Sequence, residues 1–135
     1  MGDLRLLQAP PDNQQSNVPD TPSIDPGAIR NLRELNPGDD GEFLREIIGI
    51  YIDDTPNRIA ELKKAMATGD VPLFTRAAHT IKGSSANVGA IALKGVAERM
   101  EMLSRREGLG GMPPLVADCE AEFARAAGEL RRIAT

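Results

Sequence analysis

Apolar residues recur at intervals of three and four along the chain after residue 24, and no stretch shows the two-residue alternation of a strand. Only 3% of the residues are aromatic, and tryptophan is absent. The core must therefore be aliphatic and packed mainly between helices. The clearest periodic segment runs from Phe43 to Met66 and carries Leu44, Ile47, Ile48, Tyr51, Ile52, Ile59 and Leu62. This pattern predicts an all-α chain.

Capping residues divide the periodic region into helices. Asp25 suits an N-cap and Pro26 the first helical position, so a short helix begins there and "NPGDDG" ends it. Gly69 and Asp70 mark the next boundary, Gly89 the one after it, and "GLGGMPP" the last. Four main helices joined by short turns predict an antiparallel four-helix bundle with a short extra N-terminal helix.

A proline interrupts the second periodic segment. Pro56 lacks the backbone N–H that a helix interior uses, and it disfavours helical geometry in the residue before it. Two alternatives follow: one long helix kinked near Thr55, or two helices placed nearly end to end.

Length and composition set the domain organisation. Residues 1–23 are dominated by Pro, Gln, Asn and Ser, which predicts a disordered tail or linker before one helical domain over 24–135. The net charge of −4 argues against nucleic acid as a partner, and no apolar run is long enough to cross a membrane. Because Cys119 and one histidine form neither a disulfide nor a metal-ligand cluster, we expect a cytoplasmic protein without its own metal or cofactor.

The single histidine lies in the third periodic segment. At about 100° of rotation per residue, His79 falls on the side opposite the apolar stripe and should face solvent or a partner. Lys82 and Gly83 follow one turn along the helix, and Arg76 and Ala86 belong to the surrounding face. The predicted core stripe consists of Leu73, Ala77, Ile81, Ser84 and Val88.

The residues around His79 suit phosphoryl transfer. A glycine inside a helix costs roughly 1 kcal/mol relative to alanine, but at Gly83 the missing side chain clears an approach to the imidazole. An exposed imidazole is mostly neutral at pH 7 and has a nitrogen lone pair for attack. The Lys82 ammonium is a suitable point charge for phosphoryl oxygens. Since the chain shows no phosphate-binding glycine loop and no carboxylate cluster for Mg²⁺, the donor and the metal should belong to another protein.

The motif "HTIKGSSANVGA" resembles that of the histidine-containing phosphotransfer (HPt) domain family of multistep two-component relays, and the resemblance extends over about residues 25–134. It implies that His79 is the phospho-acceptor, that Lys82 stabilises the phosphoryl oxygens and that Gly83 stays small so that a receiver domain can dock. Ser84 and Ser85 are possible helpers through their hydroxyls. Because the helical wheel places Ser84 on the core side, we expect it mainly to pack, with its hydroxyl bonded to a carbonyl one turn back.

The resemblance also implies partners and a role. The partners are receiver domains of response regulators or of hybrid sensor histidine kinases, whose phospho-aspartate and bound Mg²⁺ supply the other half of the reaction. The chain would be a monomeric phosphocarrier that takes a phosphoryl group from one receiver and passes it to, or takes it back from, another. It would bind no ATP and would not be an enzyme by itself.

Other interpretations stay open from the sequence. A helical module that binds and regulates a sensor kinase or receiver, without phosphorylation of its histidine, fits the same pattern of helices. A kinase dimerisation domain is a third possibility, which the single-chain bundle disfavours. A separate hypothesis makes part of "IIGIYI", beside the histidine face, an apolar docking patch with Arg45, Arg76 and Lys82 at its rim.

Overall fold

The computed structural model describes residues 21–135, which form five α-helices and no strand. Of the predicted tail, residues 1–20 lie outside the described part. The all-α prediction is confirmed. The helices are α1 Pro26–Leu35, α2 Glu42–Thr68, α3 Val71–Val88, α4 Ile91–Glu107 and α5 Met112–Ala134.

The four long helices form the predicted bundle. Each of them packs against two others, in the cyclic order α2, α3, α4, α5, and short turns join neighbours in antiparallel pairs. The short helix α1 packs against α2 and α3 at one end of the bundle. None of the helices within residues 21–135 combines the length and apolar character that crossing a bilayer requires.

Caps confirm the helix boundaries. The side chain of Asp25 accepts a hydrogen bond of 2.9 Å from the Gly27 N–H, and that of Asp70 accepts one of 3.0 Å from the Leu73 N–H. Gly69 and Gly89 end α2 and α3 with φ of 71° and 75°, values that suit glycine.

At Gly89 a side chain is also excluded by close packing. A Cβ there would lie 2.6 Å from the Ala28 Cβ, and the Gly89 carbonyl accepts a 2.7 Å hydrogen bond from the Asp25 N–H. The start of α1 is therefore anchored to the turn between α3 and α4.

The proline inside α2 does not divide the helix. The structure shows one continuous helix through Pro56, so the two-helix alternative is wrong. The preceding Thr55 is buried, and its hydroxyl donates a 2.7 Å hydrogen bond to the Tyr51 carbonyl one turn back. Its hydroxyl thus has a partner in the apolar interior.

The core is mostly aliphatic, and a pair of hydroxyl groups lies within it. The Tyr51 and Ser85 hydroxyls share a buried hydrogen bond of 2.7 Å between α2 and α3. The Tyr51 ring meets Phe123 of α5 edge-on, with centroids 6.0 Å apart. Burial raises the pKa of Tyr51 to about 12 against the smaller effect of the Ser85 hydrogen bond. Burial likewise raises the pKa of Cys119 to about 12.

Candidate functional site

His79 lies in the middle of α3 and points away from the bundle. Its side chain is 64% exposed, as the helical wheel predicts. The buried stripe of the same helix consists of Phe74, Ala77, Ala78, Ile81, Ser85 and Val88. The imidazole is therefore accessible to a partner molecule.

A carboxylate from the neighbouring helix holds the imidazole. Glu101 of α4 has a side chain only 8% exposed, and its Oε2 lies 2.8 Å from His79 Nδ1. The Lys82 ammonium forms an ion pair with Oε1 at 2.7 Å, and Arg105 Nη2 lies 3.2 Å from Oε2. One carboxylate thus gathers a histidine, a lysine and an arginine at a single point.

The sequence did not identify Glu101. It lies 22 residues beyond His79, and their contact depends on how α3 and α4 align. One signal was present, because Glu101 falls among the apolar positions of α4, next to Met100 and one turn after Ala97. An acidic residue in such a stripe needs a partner, which indicates a paired charge.

The charge state of Glu101 determines which imidazole nitrogen of His79 carries the hydrogen. Burial acts to raise the pKa of Glu101, but the contacts with Lys82 and His79 outweigh it and lower the pKa below the usual value. The side chain is therefore a carboxylate at neutral pH, and a carboxylate can only accept hydrogen bonds. In the neutral imidazole, Nδ1 of His79 must then carry the ring hydrogen, which leaves the lone pair on Nε2.

Hydroxyl groups connect α3 and α4 beneath this carboxylate. Thr75 and Ser104 share a 2.7 Å hydrogen bond across the two helices, and the Ser104 hydroxyl donates one of 3.2 Å to the Glu101 carbonyl. Because Ser104 is fully buried, its bond with Thr75 links α3 to α4 one turn before His79, and its bond with Glu101 lies within α4.

The surface beyond the imidazole is open. A Cβ added at Gly83 would meet no atom within 4 Å, and Ala86, one turn further on, is exposed. The absence of a side chain at Gly83 is therefore not required by packing within the described residues. It leaves free space beside the imidazole, as the sequence predicts.

The two serines occupy different positions from those expected. The prediction that Ser84 belongs to the core stripe is wrong, since Ser84 is only partly buried and Ser85 is fully buried. Leu73, the reference for the predicted stripe, is also only partly buried, and Phe74 takes the central position. The Ser84 hydroxyl does bond a backbone carbonyl one turn back, that of Ile81, at 3.3 Å. Ser85, bonded to Tyr51, faces away from the imidazole.

The two arginines of the predicted rim, Arg45 and Arg76, lie in different parts of the surface. Arg76 is exposed and lines a cavity beside His79 together with Arg105. Arg45 donates a 2.8 Å hydrogen bond to the Asp40 carbonyl and lies beside the end of α5, near Thr135. The predicted rim of Arg45, Arg76 and Lys82 is therefore not a single cluster. In the "IIGIYI" segment Ile48 and Tyr51 are buried, whereas Ile50 is exposed.

An exposed histidine on one helix of a four-helix bundle, with a lysine and a glycine one turn further on, defines a histidine phosphotransfer domain. Residues 46–132 match the Hpt domain family, and the chain belongs to that family. The resemblance inferred from the sequence is confirmed.

Individual relatives agree with this assignment. Multistep phosphorelay regulator 1 of Schizosaccharomyces pombe is 30% identical in an alignment of 99 residues that covers 71% of this chain and 34% of that protein. The chain thus spans about a third of the length of that relative.

Solved structures share the fold. The structure of histidine-containing phosphotransfer protein B from Pseudomonas aeruginosa PAO1 is similar with a TM-score of 0.77 and 27% identity, over 84% of this chain and 96% of that chain. A histidine-containing phosphotransfer protein from rice has a TM-score of 0.74 at 20% identity, over 84% and 80% of the respective chains.

Proposed function

We propose that His79 accepts a phosphoryl group on Nε2 from the phospho-aspartate of a receiver domain and passes it to, or takes it back from, a second receiver. The observation that carries this proposal is the 2.8 Å contact between His79 Nδ1 and the buried carboxylate of Glu101. It leaves Nε2 as the nucleophile on a surface kept open at Gly83.

The proposed step is an in-line displacement at phosphorus. The Nε2 lone pair forms the N–P bond while the bond from phosphorus to the aspartyl oxygen breaks, and the aspartate leaves as a carboxylate. Nε2 has no proton to lose, so the ring becomes a phosphorylated imidazolium with its hydrogen still on Nδ1. The Glu101 carboxylate stabilises that positive charge. The reverse reaction delivers the group to another aspartate.

Lys82 and the partner supply the remaining electrostatics. Lys82 lies one turn from His79, and its side chain is 29% exposed, so its ammonium can leave Glu101 and contact the phosphoryl oxygens. The Mg²⁺ that neutralises the aspartyl phosphate belongs to the receiver in this proposal, as does any ATP-dependent step of the relay. This chain is then a carrier and not an enzyme by itself, and we expect a cytoplasmic monomer.

The test uses a chemical donor and a protein donor. Phosphoramidate and a phosphorylated receiver domain should each place an acid-labile, base-stable label on the chain, and ³¹P NMR should show the Nε2 isomer. The label should vanish in His79→Gln. A label that survives in this variant would contradict the proposal. Receiver binding without any label would favour the non-phosphorylated interaction module.

A further inference from the structure

A groove of about 390 Å³ lies between the outer edges of α3 and α4, directly beside His79. It extends toward the amino end of α3, on the side of the imidazole away from Lys82 and Gly83. The residues that line it are Pro72, Thr75, Arg76, His79, Glu101 and Arg105. A protein that docks against Nε2 of His79 therefore also lies over this groove.

The groove presents positive charge. Its one acidic lining residue, Glu101, is 8% exposed and already contacts His79, Lys82 and Arg105. Arg76 is exposed and forms no ion pair with any residue of 21–135, so its guanidinium is available to a partner. The chain as a whole carries a net charge of −4, so this cationic groove differs from the average surface.

The chemistry that fits the groove is a carboxylate-bearing surface. Guanidinium groups bind carboxylates through paired N–H donors, and Arg76 and Arg105 face the same space. A receiver that holds Mg²⁺ next to its phospho-aspartate must carry oxygen ligands there, and carboxylates are the usual ones. The acidic surroundings of the donor would therefore arrive beside His79 together with the phosphoryl group.

We propose that this groove binds carboxylates of the partner receiver and that Arg76 sets the orientation in which the phospho-aspartate approaches Nε2. This inference rests on the proposed function. On the other side of the imidazole, Gly83 and Ala86 are small and uncharged, and the Lys82 ammonium is 29% exposed and paired with Glu101. The two sides of His79 are therefore unlike, and a receiver with an acidic edge docks with that edge over the groove. Charges at the rim of an interface act mainly on the association rate and its salt dependence.

The test compares Arg76→Glu with Arg106→Glu. Both variants change the net charge equally. Arg106 is also exposed, but it lies about 100° around the axis of α4 from Arg105 and does not line the groove. The probe is the phosphorylated receiver that labels His79 fastest. At about 50 mM salt, Arg76→Glu should slow association and transfer about tenfold, and the difference should shrink at about 500 mM. Arg106→Glu should stay within about twofold of the parent chain.

A partner-free measurement separates docking from chemistry. Labelling by phosphoramidate, which is itself a small anion, should change by no more than about twofold in Arg76→Glu, and the lifetime of the phosphohistidine should equal that of the parent chain. A shortened lifetime would mean that Arg76 contacts the phosphoryl group itself. Equal slowing of transfer in both arginine variants would mean that the effect comes from the net charge alone. Either result overturns this inference alone. A parent chain that no donor can label would overturn the proposed function as well.

Discussion

Replacing Gly83 by alanine should make the bundle more stable and the phosphotransfer slower. A Cβ at this position meets no atom within 4 Å, so the methyl group fits without strain. Alanine is favoured over glycine in a helix interior by about 1 kcal/mol, and Gly83 lies inside α3. For a domain of this size that gain corresponds to a rise in melting temperature of about 4 °C.

The same methyl group should hinder the partner. It would stand one turn from His79, on the surface that a receiver must approach until the reacting atoms are about 3–3.5 Å apart. Displacement of the donor by about 1 Å costs up to about a hundredfold in rate, so we expect Gly83→Ala to slow transfer from a receiver at least tenfold. Labelling by the small donor phosphoramidate should change far less, because it needs no docked protein.

The assay measures thermal unfolding by circular dichroism and the single-turnover rate of transfer from a phosphorylated receiver. Gly128→Ala is the matched control, because Gly128 lies inside α5, diagonally across the bundle from α3, and a Cβ there also meets no atom within 4 Å. It should show the stability gain without the loss of rate. If Gly83→Ala melts below the parent chain, or transfers at the parental rate, the inference that Gly83 keeps the surface beside His79 open for a receiver is wrong.

Two further predictions concern titratable groups. Glu101→Gln should slow phosphoramidate labelling about tenfold and allow part of the label to appear on Nδ1, which ³¹P NMR distinguishes. Because the pKa of Glu101 is lowered in the folded state, its contribution to stability is present above about pH 4.5 and lost below it. Urea titrations should therefore show a smaller acid-induced loss in Glu101→Gln, and equal losses would refute the pairing. The pKa of Tyr51, the only tyrosine, is raised by burial from 10.0 to about 12, so stability should fall as the pH rises from 10 to 12. Tyr51→Phe should remove that part of the fall, cost about 1–2 kcal/mol at pH 7 by leaving the Ser85 hydroxyl unpaired, and leave transfer unchanged.

The helices and their caps could be predicted because their causes are local. Asp25, Asp70 and Gly89 act within one turn of their own position, and the spacing of apolar residues needs no knowledge of the fold. The outward direction of His79 follows from the same spacing. The continuity of α2 through Pro56 could not be predicted from the spacing of apolar residues. It depends on the tertiary packing of the apolar face of α2, which outweighs one lost hydrogen bond.

Contacts between helices were less accessible to sequence reasoning. The predicted stripe of α3 included Leu73 and Ser84, whereas Phe74 and Ser85 are the residues that lie in the interior of the bundle. Glu101 could not be found from α3 at all. Its contact with His79 is set by the alignment of two helices, which no periodicity within one helix records.

The Glu101 carboxylate, which contacts His79, Lys82 and Arg105, also determines what happens after the phosphoryl group has moved on. In the proposed mechanism the Lys82 ammonium has two resting places, the Glu101 oxygen at 2.7 Å and the phosphoryl oxygens, and a side-chain rotation separates them. Such rotations take picoseconds to nanoseconds, whereas helix movements take microseconds or longer. In that mechanism each round of loading and unloading leaves the backbone as it was, so no helix movement limits the rate of transfer.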